Sequence, residues 1–115
     1  MKLEKSILRV FDVRAKAGQA ALLKQKLSDT SVKVVEGKPG NLGYFFGENL
    51  SSDGNVLVFI SVWENLAAVK ARFGADWEQS YLPEGYAELI ESCSLRHVEF
   101  DGKLNAPNSD LQTGS

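Results

Sequence analysis

His97 is the only histidine in the chain, so it is the first candidate for general acid or base chemistry near neutral pH. It lies in SCSLRHVEF (92–100), whose composition is typical of a strand. In the alternation of that strand, His97 shares a face with Cys93, Leu95 and Glu99. A catalytic role competes with a structural one, in which the ring is exposed or simply hydrogen-bonded, and we favour the structural interpretation.

Arg9 is the second polar candidate, because it stands alone among apolar neighbours in SILRVFDVR (6–14). A guanidinium in such surroundings can stabilise a phenolate anion through charge-assisted hydrogen bonds. It can also form an ordinary ion pair with Glu99 or Glu64. We favour the ion pair and keep the phenolate role as the alternative.

Large aromatic side chains lie on two of the predicted strands. Trp63 ends NVLVFISVW (55–63), where it is either a core residue or the wall of a pocket. Its indole N–H needs a hydrogen-bond partner if it is buried, and it could orient a ligand oxygen. On the preceding strand, Tyr44 and Phe46 share one face and Phe45 lies on the other.

Three further aromatic residues, Phe73, Trp77 and Tyr81, recur at intervals of four. They would form one stripe if the helix that contains Phe73 continued, but Gly74 interrupts it. Packing in the core is the more common role for such residues. An apolar cavity lined by aromatic side chains would nevertheless suit a flat aromatic substrate.

The composition is that of a small globular protein, with 115 residues, 43% apolar and 24% charged. The net charge is −2 and no Lys/Arg cluster occurs, which argues against nucleic-acid or anionic-membrane partners. The single cysteine, Cys93, excludes an internal disulfide and is predicted to be a small buried residue. No apolar run is long enough for a membrane span and no signal peptide is apparent, so we expect a cytoplasmic protein. No spacing of Cys and His indicates a metal site.

The elements that must position these side chains follow the order β-α-β-β-α-β. We predict one domain over residues 1–102 and a polar C-terminal tail over 103–115. The order is that of the split βαβ or ferredoxin-like arrangement, an α+β fold with a four-stranded antiparallel sheet. The predicted strands are 6–14, 41–50, 55–63 and 92–100, and the predicted helices are 18–37 and the segment between the Asn65 cap and Gly74.

The strand 55–63 is apolar on both faces, although two helices can cover only one face of a four-stranded sheet. At about 25 cal/mol per Å², covering some 600 Å² of the second face is worth roughly 15 kcal/mol before association costs. The simplest cover is the sheet of an identical chain, which predicts a homodimer with a barrel-like interface. The alternative is a monomer whose tail folds back over this face.

With this order in place, the chain resembles the antibiotic biosynthesis monooxygenase-like (ABM) family of dimeric α+β barrels. The matching features are VRAKAG (13–18), the pair Pro39-Gly40 before the second strand, and FISVWENLAAVKARF (59–73). The resemblance covers residues 5–100. It implies a homodimer with a pocket between the sheet and the helices of each subunit.

Members of the family differ in chemistry, so the resemblance leaves several functions open. Some oxidise phenolic or quinol-type aromatics with O₂ and use no metal, flavin or haem, whereas others degrade haem. The haem-degrading branch has an asparagine on the first strand, a tryptophan on the third and a histidine on the second helix. Here these positions hold Phe11, Trp63 and Phe73. Only the tryptophan matches, which argues against haem degradation.

The resulting hypothesis is a monooxygenase without a cofactor that acts with O₂ on a small phenol- or quinol-type aromatic in an apolar pocket. The alternative is a non-catalytic dimeric barrel that binds a small hydrophobic metabolite. His97 and Arg9 are the candidate catalytic residues. The candidate pocket residues are Trp63, Phe11, Phe73, Trp77, Tyr81 and Tyr44.

Overall fold

A computed structural model of the chain describes residues 5–50 and 52–103. The predicted tail, apart from Lys103, lies outside the described residues. No helix within these two ranges is long and apolar enough to cross a membrane. The strands are β1 (Ser6–Ala15), β2 (Asn41–Glu48), β3 (Val56–Trp63) and β4 (Ile90–Phe100), and the helices are α1 (Ala20–Lys26), α2 (Val32–Val35) and α3 (Leu66–Phe73).

The four strands form one antiparallel sheet in the order β2-β3-β1-β4. The predicted β-α-β-β-α-β order and the split βαβ arrangement are confirmed. In the register, Phe11 of β1 lies opposite Phe59 of β3 on one side and Leu95 of β4 on the other. Since directly opposed residues share a face, the odd-numbered side chains of these three strands point the same way.

The helices cover the face that carries the odd-numbered residues, and this layer is the hydrophobic core. The centre of the core is fully buried, because the side chains of the sheet and of the helices interdigitate there. Its most buried members include Val13, Leu57 and Trp63 from the sheet and Leu23, Leu27 and Val69 from the helices.

The first covering helix is not regular, because a π-helical turn at Leu27–Ser31 separates α1 from α2. Leu23 and Leu27 are buried at a spacing of four, and the next buried residue, Val32, follows after five. A π turn holds the additional residue and keeps both parts of the helix facing the core. It also turns Ser31 and the following half-buried Val34 toward the space between helix and sheet.

The second covering helix begins and ends where the sequence predicts. The Asn65 side chain accepts a hydrogen bond from the N–H of Ala68 at 2.9 Å and caps the first turn of α3. Gly74 ends the helix with a φ of 73°, which glycine adopts readily. The chain then runs through short turns to β4, so Trp77 and Tyr81 lie in a connecting segment and not on a longer helix.

The outer face of the sheet carries a second set of apolar side chains, and no helix in the described part of the chain lies against it. We use "outer face" for Leu8, Val10, Phe45, Val56, Val58, Ile60, Val62 and Val98. Phe45 is 63% exposed, whereas the central Val10 is almost fully buried between its neighbours in the sheet. The prediction that the third strand is apolar on both sides is therefore confirmed.

Gly40 provides a test of how the turn before β2 packs on α3. Its φ is +81°, and a Cβ at this position would lie 2.5 Å from the Cβ of Ala68. Gly18 has a similar φ of +78° but no atom within 4 Å of such a Cβ. We expect Gly18→Ala to lower the free energy of unfolding by about 1–2 kcal/mol, and Gly40→Ala by about 2–5 kcal/mol because of the added clash. Urea unfolding measures both values, and equal losses would contradict the close approach of the turn to α3.

Candidate active site

A cavity opens between the helix-covered face of the sheet and the segments that pack on it. Its volume is about 430 Å³, counting the part that is open to solvent. The strands β1, β3 and β4 form its floor, and the first covering helix, α3 and the segment after α3 form its walls. The lining residues are Arg9, Phe11, Ser31, Val34, Val35, Phe59, Ser61, Phe73, Tyr81, Pro83 and Leu95.

The lining of the cavity is apolar except for one guanidinium, two serine hydroxyls and one phenol. None of the described lining residues is Asp or Glu. A cavity of this kind disfavours water and holds flat hydrophobic molecules, while its few polar groups fix their orientation. Its charge comes from Arg9.

Arg9 is only 6% exposed, yet it pairs with neutral groups. Its Nη1 donates to the carbonyl of Trp77 at 2.6 Å, and its Nη2 donates to the carbonyl of Gln79 at 3.2 Å. The guanidinium carbon also lies 3.7 Å from the centre of the Phe73 ring, in cation–π contact. The segment after α3 thus wraps around the arginine head group.

The favoured prediction that Arg9 pairs with Glu99 or Glu64 was wrong. Both glutamates have exposed side chains, and among the described residues no carboxylate lies within ion-pair distance of Arg9. In the register Glu99 stands opposite Ile7, and Glu64 follows the end of β3. The alternation of the strand sequence places Glu99 on the same face of the sheet as Arg9. It gives no indication that backbone carbonyls, and not this carboxylate, bind the guanidinium.

Burial lowers the pKa of Arg9 to about 10, and the nearby positive charge of Arg72 is the second, smaller cause of this lowering. The guanidinium therefore remains protonated at neutral pH. It is a buried positive charge beside a cavity, and the described residues around it supply dipoles but no counter-ion.

His97 lies directly opposite Arg9 on β4 and supports it. Its Nε2 is 3.0 Å from Nη1 of Arg9, and because a guanidinium can only donate, Nε2 accepts this hydrogen bond. Desolvation, followed by the charge of Arg9, lowers the pKa of His97 below 6.5, and Glu78 opposes this. The neutral ring, with its proton on Nδ1, also contacts Trp77, at 5.0 Å between ring centres.

The arrangement gives the two predicted catalytic residues different positions. Arg9 lines the cavity, whereas His97 lies behind it and uses its basic nitrogen to hold Arg9. A proton taken from a substrate would reach Nε2 only after this hydrogen bond broke. The catalytic role of either residue stays a prediction.

Trp63 lies beneath the cavity, fully buried, and its Nε1–H donates to Oγ of Ser61 at 2.8 Å. Its ring meets that of Phe73 edge-on, with 5.9 Å between centres. Ser61 and Phe73 both line the cavity, so Trp63 is a core residue that fixes two residues of the wall. Trp63 is therefore part of the core and also supports the wall of the cavity, so it combines the two interpretations drawn from the sequence.

The other predicted pocket residues are divided between the lining and its support. Phe11, Phe73 and Tyr81 line the cavity, and the rings of Phe73 and Tyr81 are 6.2 Å apart although the helix between them ends. Trp77 supports Arg9 and His97 from outside the lining. Tyr44 stacks on Phe59 at 6.2 Å, and its hydroxyl donates to Glu36 at 2.9 Å.

Ser31 is a polar lining residue that the sequence analysis missed. Tyr86 donates its single hydroxyl proton to the carbonyl of Lys26 at 2.8 Å, so Ser31 donates to the Tyr86 oxygen at 2.6 Å. This chain of hydrogen bonds lies along the π turn. The five-residue step from Leu27 to Val32 is the one sequence signal that could have indicated it.

Cys93 was predicted to be buried, and this was wrong. It lies exposed on β4, with Sγ 3.8 Å from Oγ of Ser80. β4 is an edge strand of the sheet, and Cys93 is not one of the residues of the hydrophobic core. An apolar side chain was therefore not required at this position.

The neutral state of His97 predicts a pH dependence of stability. Because the pKa is lowered on folding, the unfolded chain binds more protons as the pH falls below about 6.5, and the free energy of unfolding decreases in that range. We expect His97→Gln, whose amide oxygen can still accept from Arg9, to lose stability less steeply between about pH 7.5 and 5 than the unchanged chain. Urea unfolding across this range measures both slopes. Identical slopes would show that His97 is not held neutral in the folded chain.

Solved structures share the fold over most of the chain. The NE2512 protein of unknown function from Nitrosomonas europaea aligns with a TM-score of 0.69 and 19% identity, covering 90% of this chain and 98% of that one. PA3566 from Pseudomonas aeruginosa aligns with a TM-score of 0.65 and 15% identity, covering 85% and 96%. A Deinococcus radiodurans protein, named as a proposed antibiotic biosynthesis monooxygenase, aligns with a TM-score of 0.66 and 20% identity, covering 87% and 97%.

A curated relative, the fatty acid synthase subunit beta of Schizosaccharomyces pombe, is 37% identical over 92 residues. The alignment covers 78% of this chain but spans only 4% of that subunit. The family model described as antibiotic biosynthesis monooxygenase matches residues 6–77, from the start of β1 to the residue whose carbonyl holds Arg9. The chain therefore belongs to the antibiotic biosynthesis monooxygenase family.

Proposed function

We propose that this protein is a monooxygenase that uses no cofactor and acts on a small phenol- or quinol-type aromatic bound in the cavity. The observation that supports this most directly is the buried, protonated Arg9 in a lining that is otherwise almost entirely apolar and aromatic. Membership of the family gives the proposal its reaction class.

In this chemistry the substrate itself reduces O₂, and the protein supplies a binding site and an electrostatic environment. A phenol with a free para position loses two hydrogen atoms and gains one oxygen atom to give a quinone, and the second oxygen atom leaves as water. The ionised phenolate is the form that gives up electrons readily. A nearby guanidinium favours that form, since a positive charge lowers the pKa of a phenol.

Different lining residues would contact different parts of the substrate. Arg9 would lie beside the phenolate oxygen, and the Phe73 ring, already in contact with Arg9, would lie against the substrate ring. Ser61 is held by Trp63 and could hydrogen-bond a second substrate oxygen. No separate base is required if Arg9 makes the phenol acidic enough to lose its proton to solvent.

A second candidate function is binding without catalysis. The observation that favours it is that Nε2 of His97 is engaged with Arg9, and no imidazole and no carboxylate occurs among the described lining residues. A barrel of this kind would hold a small hydrophobic metabolite and release it unchanged.

The proposal includes a homodimer formed through the outer face. Phe45 is 63% exposed there, and Val98 is also exposed, in a face with no helix from the described part of the chain over it. Exposed apolar patches of this kind are typical of interaction surfaces. A second copy of the sheet offers the same apolar surface and therefore a complementary one.

Oxygen uptake in the presence of α-naphthol tests the enzymatic function. We expect the unchanged protein to consume O₂ above the buffer rate, and Val34→Phe, which fills the cavity, to lower this rate at least about tenfold. Leu22→Phe is the matched control, since Leu22 is exposed on the same covering helix and does not line the cavity. Its rate should stay unchanged, and an oxygen electrode measures all three.

Two outcomes would contradict catalysis. If the unchanged protein consumes no O₂ above buffer with α-naphthol or other naphthols and quinols, the monooxygenase proposal fails. If a ligand raises the thermal stability of the protein and is recovered unchanged, the binding function takes its place.

Sedimentation of the protein and of Phe45→Glu tests the dimer. The chain has a mass of 12.6 kDa, and we expect a particle of twice that mass at micromolar concentration. Phe45→Glu places a charge in the outer face and should give the monomer. Leu22→Glu, an exposed leucine on the helix side, is the control and should remain dimeric. A monomeric unchanged protein would overturn this part of the proposal.

A further inference from the structure

Two positive charges approach one aromatic ring of the cavity. The guanidinium carbon of Arg9 lies 3.7 Å from the centre of the Phe73 ring, and that of Arg72 lies 5.3 Å from it. Arg72 donates from Nε to the carbonyl of Val34 at 2.6 Å, which keeps it at the cavity wall. Like charges this close disfavour each other, and a bound anion between or beside them would remove that cost.

Arg9 keeps hydrogen-bonding capacity that the described residues do not use. A guanidinium has five N–H donors, and three are used, by the carbonyls of Trp77 and Gln79 and by His97. Its Nε has no acceptor among the described residues, whereas every fully buried side-chain N or O in that part of the chain has a partner. The Nε of Arg9 is therefore unpaired but not completely enclosed, and Arg9 lines the cavity.

We propose that the ligand of this cavity is an aromatic carboxylate, whose carboxylate group binds the free edge of Arg9. This inference rests on the proposed function for the location of the site, and it adds the chemical class of the substrate. The ring of the ligand lies in the apolar part of the cavity against Phe11, Phe59 and Phe73.

A carboxylate fits the geometry better than other anions. It is planar, carries one charge, and binds side-on to Nε–H and Nη–H of an arginine through two parallel hydrogen bonds. The apolar part of the lining offers an aromatic surface for the ring of such a ligand. Arg72 approaches the Phe73 ring but is not one of the lining residues, so among the described lining residues only Arg9 can contact the anion with a charged group, which suits a singly charged carboxylate better than a phosphate.

The carboxylate also agrees with the chemistry proposed for the site. In a hydroxyaryl carboxylate with its two oxygen groups on neighbouring carbons, one guanidinium can meet the carboxylate and lie beside the phenol oxygen. Arg9 would then fix the substrate through its permanent charge and promote ionisation of the adjacent hydroxyl. Binding and activation would depend on the same side chain.

Equilibrium binding of α-naphthoate and of its neutral analogue α-naphthamide tests the proposal without turnover. We expect the unchanged protein to bind the acid at least about tenfold more tightly than the amide at neutral pH. In Arg9→Met this preference should fall to less than about threefold. Arg14→Met is the matched control, because Arg14 lies on the same strand, on the opposite face, and pairs with Asp53. It should keep the full preference, and isothermal titration calorimetry measures all of these affinities.

A second variant keeps the test decisive if Arg9→Met does not fold. Arg72→Gln removes the other positive charge at the Phe73 ring, and we expect it to reduce the preference for the acid by about two- to fivefold. Equal binding of acid and amide by the unchanged protein would overturn the proposal. So would a preference that survives both substitutions.

The outcome separates this inference from the proposed function. If the acid is preferred but hydroxynaphthoate and α-naphthol cause no O₂ uptake, the carboxylate site stands and the monooxygenase proposal fails. If α-naphthol is oxidised while acid and amide bind equally, the enzymatic function stands and the carboxylate site is overturned.

Discussion

The buried positive charge of Arg9 is the constraint on which the site depends. Arg9 is 6% exposed as a residue, and a charge on so buried a side chain is stable only where other dipoles replace the water that it has lost. Here two carbonyls of the segment after α3, the Nε2 of His97 and the face of Phe73 provide them. The position of that segment, and with it one wall of the cavity, follows from this requirement. The Nε of Arg9 has no hydrogen-bond partner among the described residues, and this leaves the cavity with a positively charged donor for a ligand.

The sheet separates this site from the outer face. On β3 the residues that alternate with Val58 and Ile60 are Phe59 and Ser61, so one strand supplies both the cavity floor and an apolar exterior. Ser61 and Trp63, which belong to the site and its support, thus lie on the opposite face of the strand from Val58 and Ile60. The first covering helix, with its π turn, and α3 complete the cavity from the other side.

The fold could be predicted from the sequence because its signals are local. Alternation in the strands, the Asn65 cap and the glycine at the end of α3 each depend on a few neighbouring residues. Within the site, Arg9, Phe11, Phe73 and Tyr81 were predicted as lining residues or polar candidates, and the structure places them together. The partners of Arg9 could not be predicted, since carbonyls carry no sequence signature and Trp77 and Gln79 are far from it in the chain. The π turn that presents Ser31 and the exposure of Cys93 depend on how the helices pack, which is a tertiary property.

The most direct test of the account is heteronuclear NMR of the arginine Nε–H groups, with the Arg9 resonance assigned from the spectrum of Arg9→Lys. An uncompensated guanidinium with a free Nε edge predicts a clear downfield shift and slower hydrogen exchange of the Arg9 Nε–H when α-naphthoate is added. α-Naphthamide should not shift the Arg9 Nε–H resonance. The Nε–H of Arg14 serves as internal reference and should not shift with either compound. An Arg9 resonance that ignores the carboxylate, or that responds equally to the amide, would contradict the central claim that this buried charge is available to an anionic ligand.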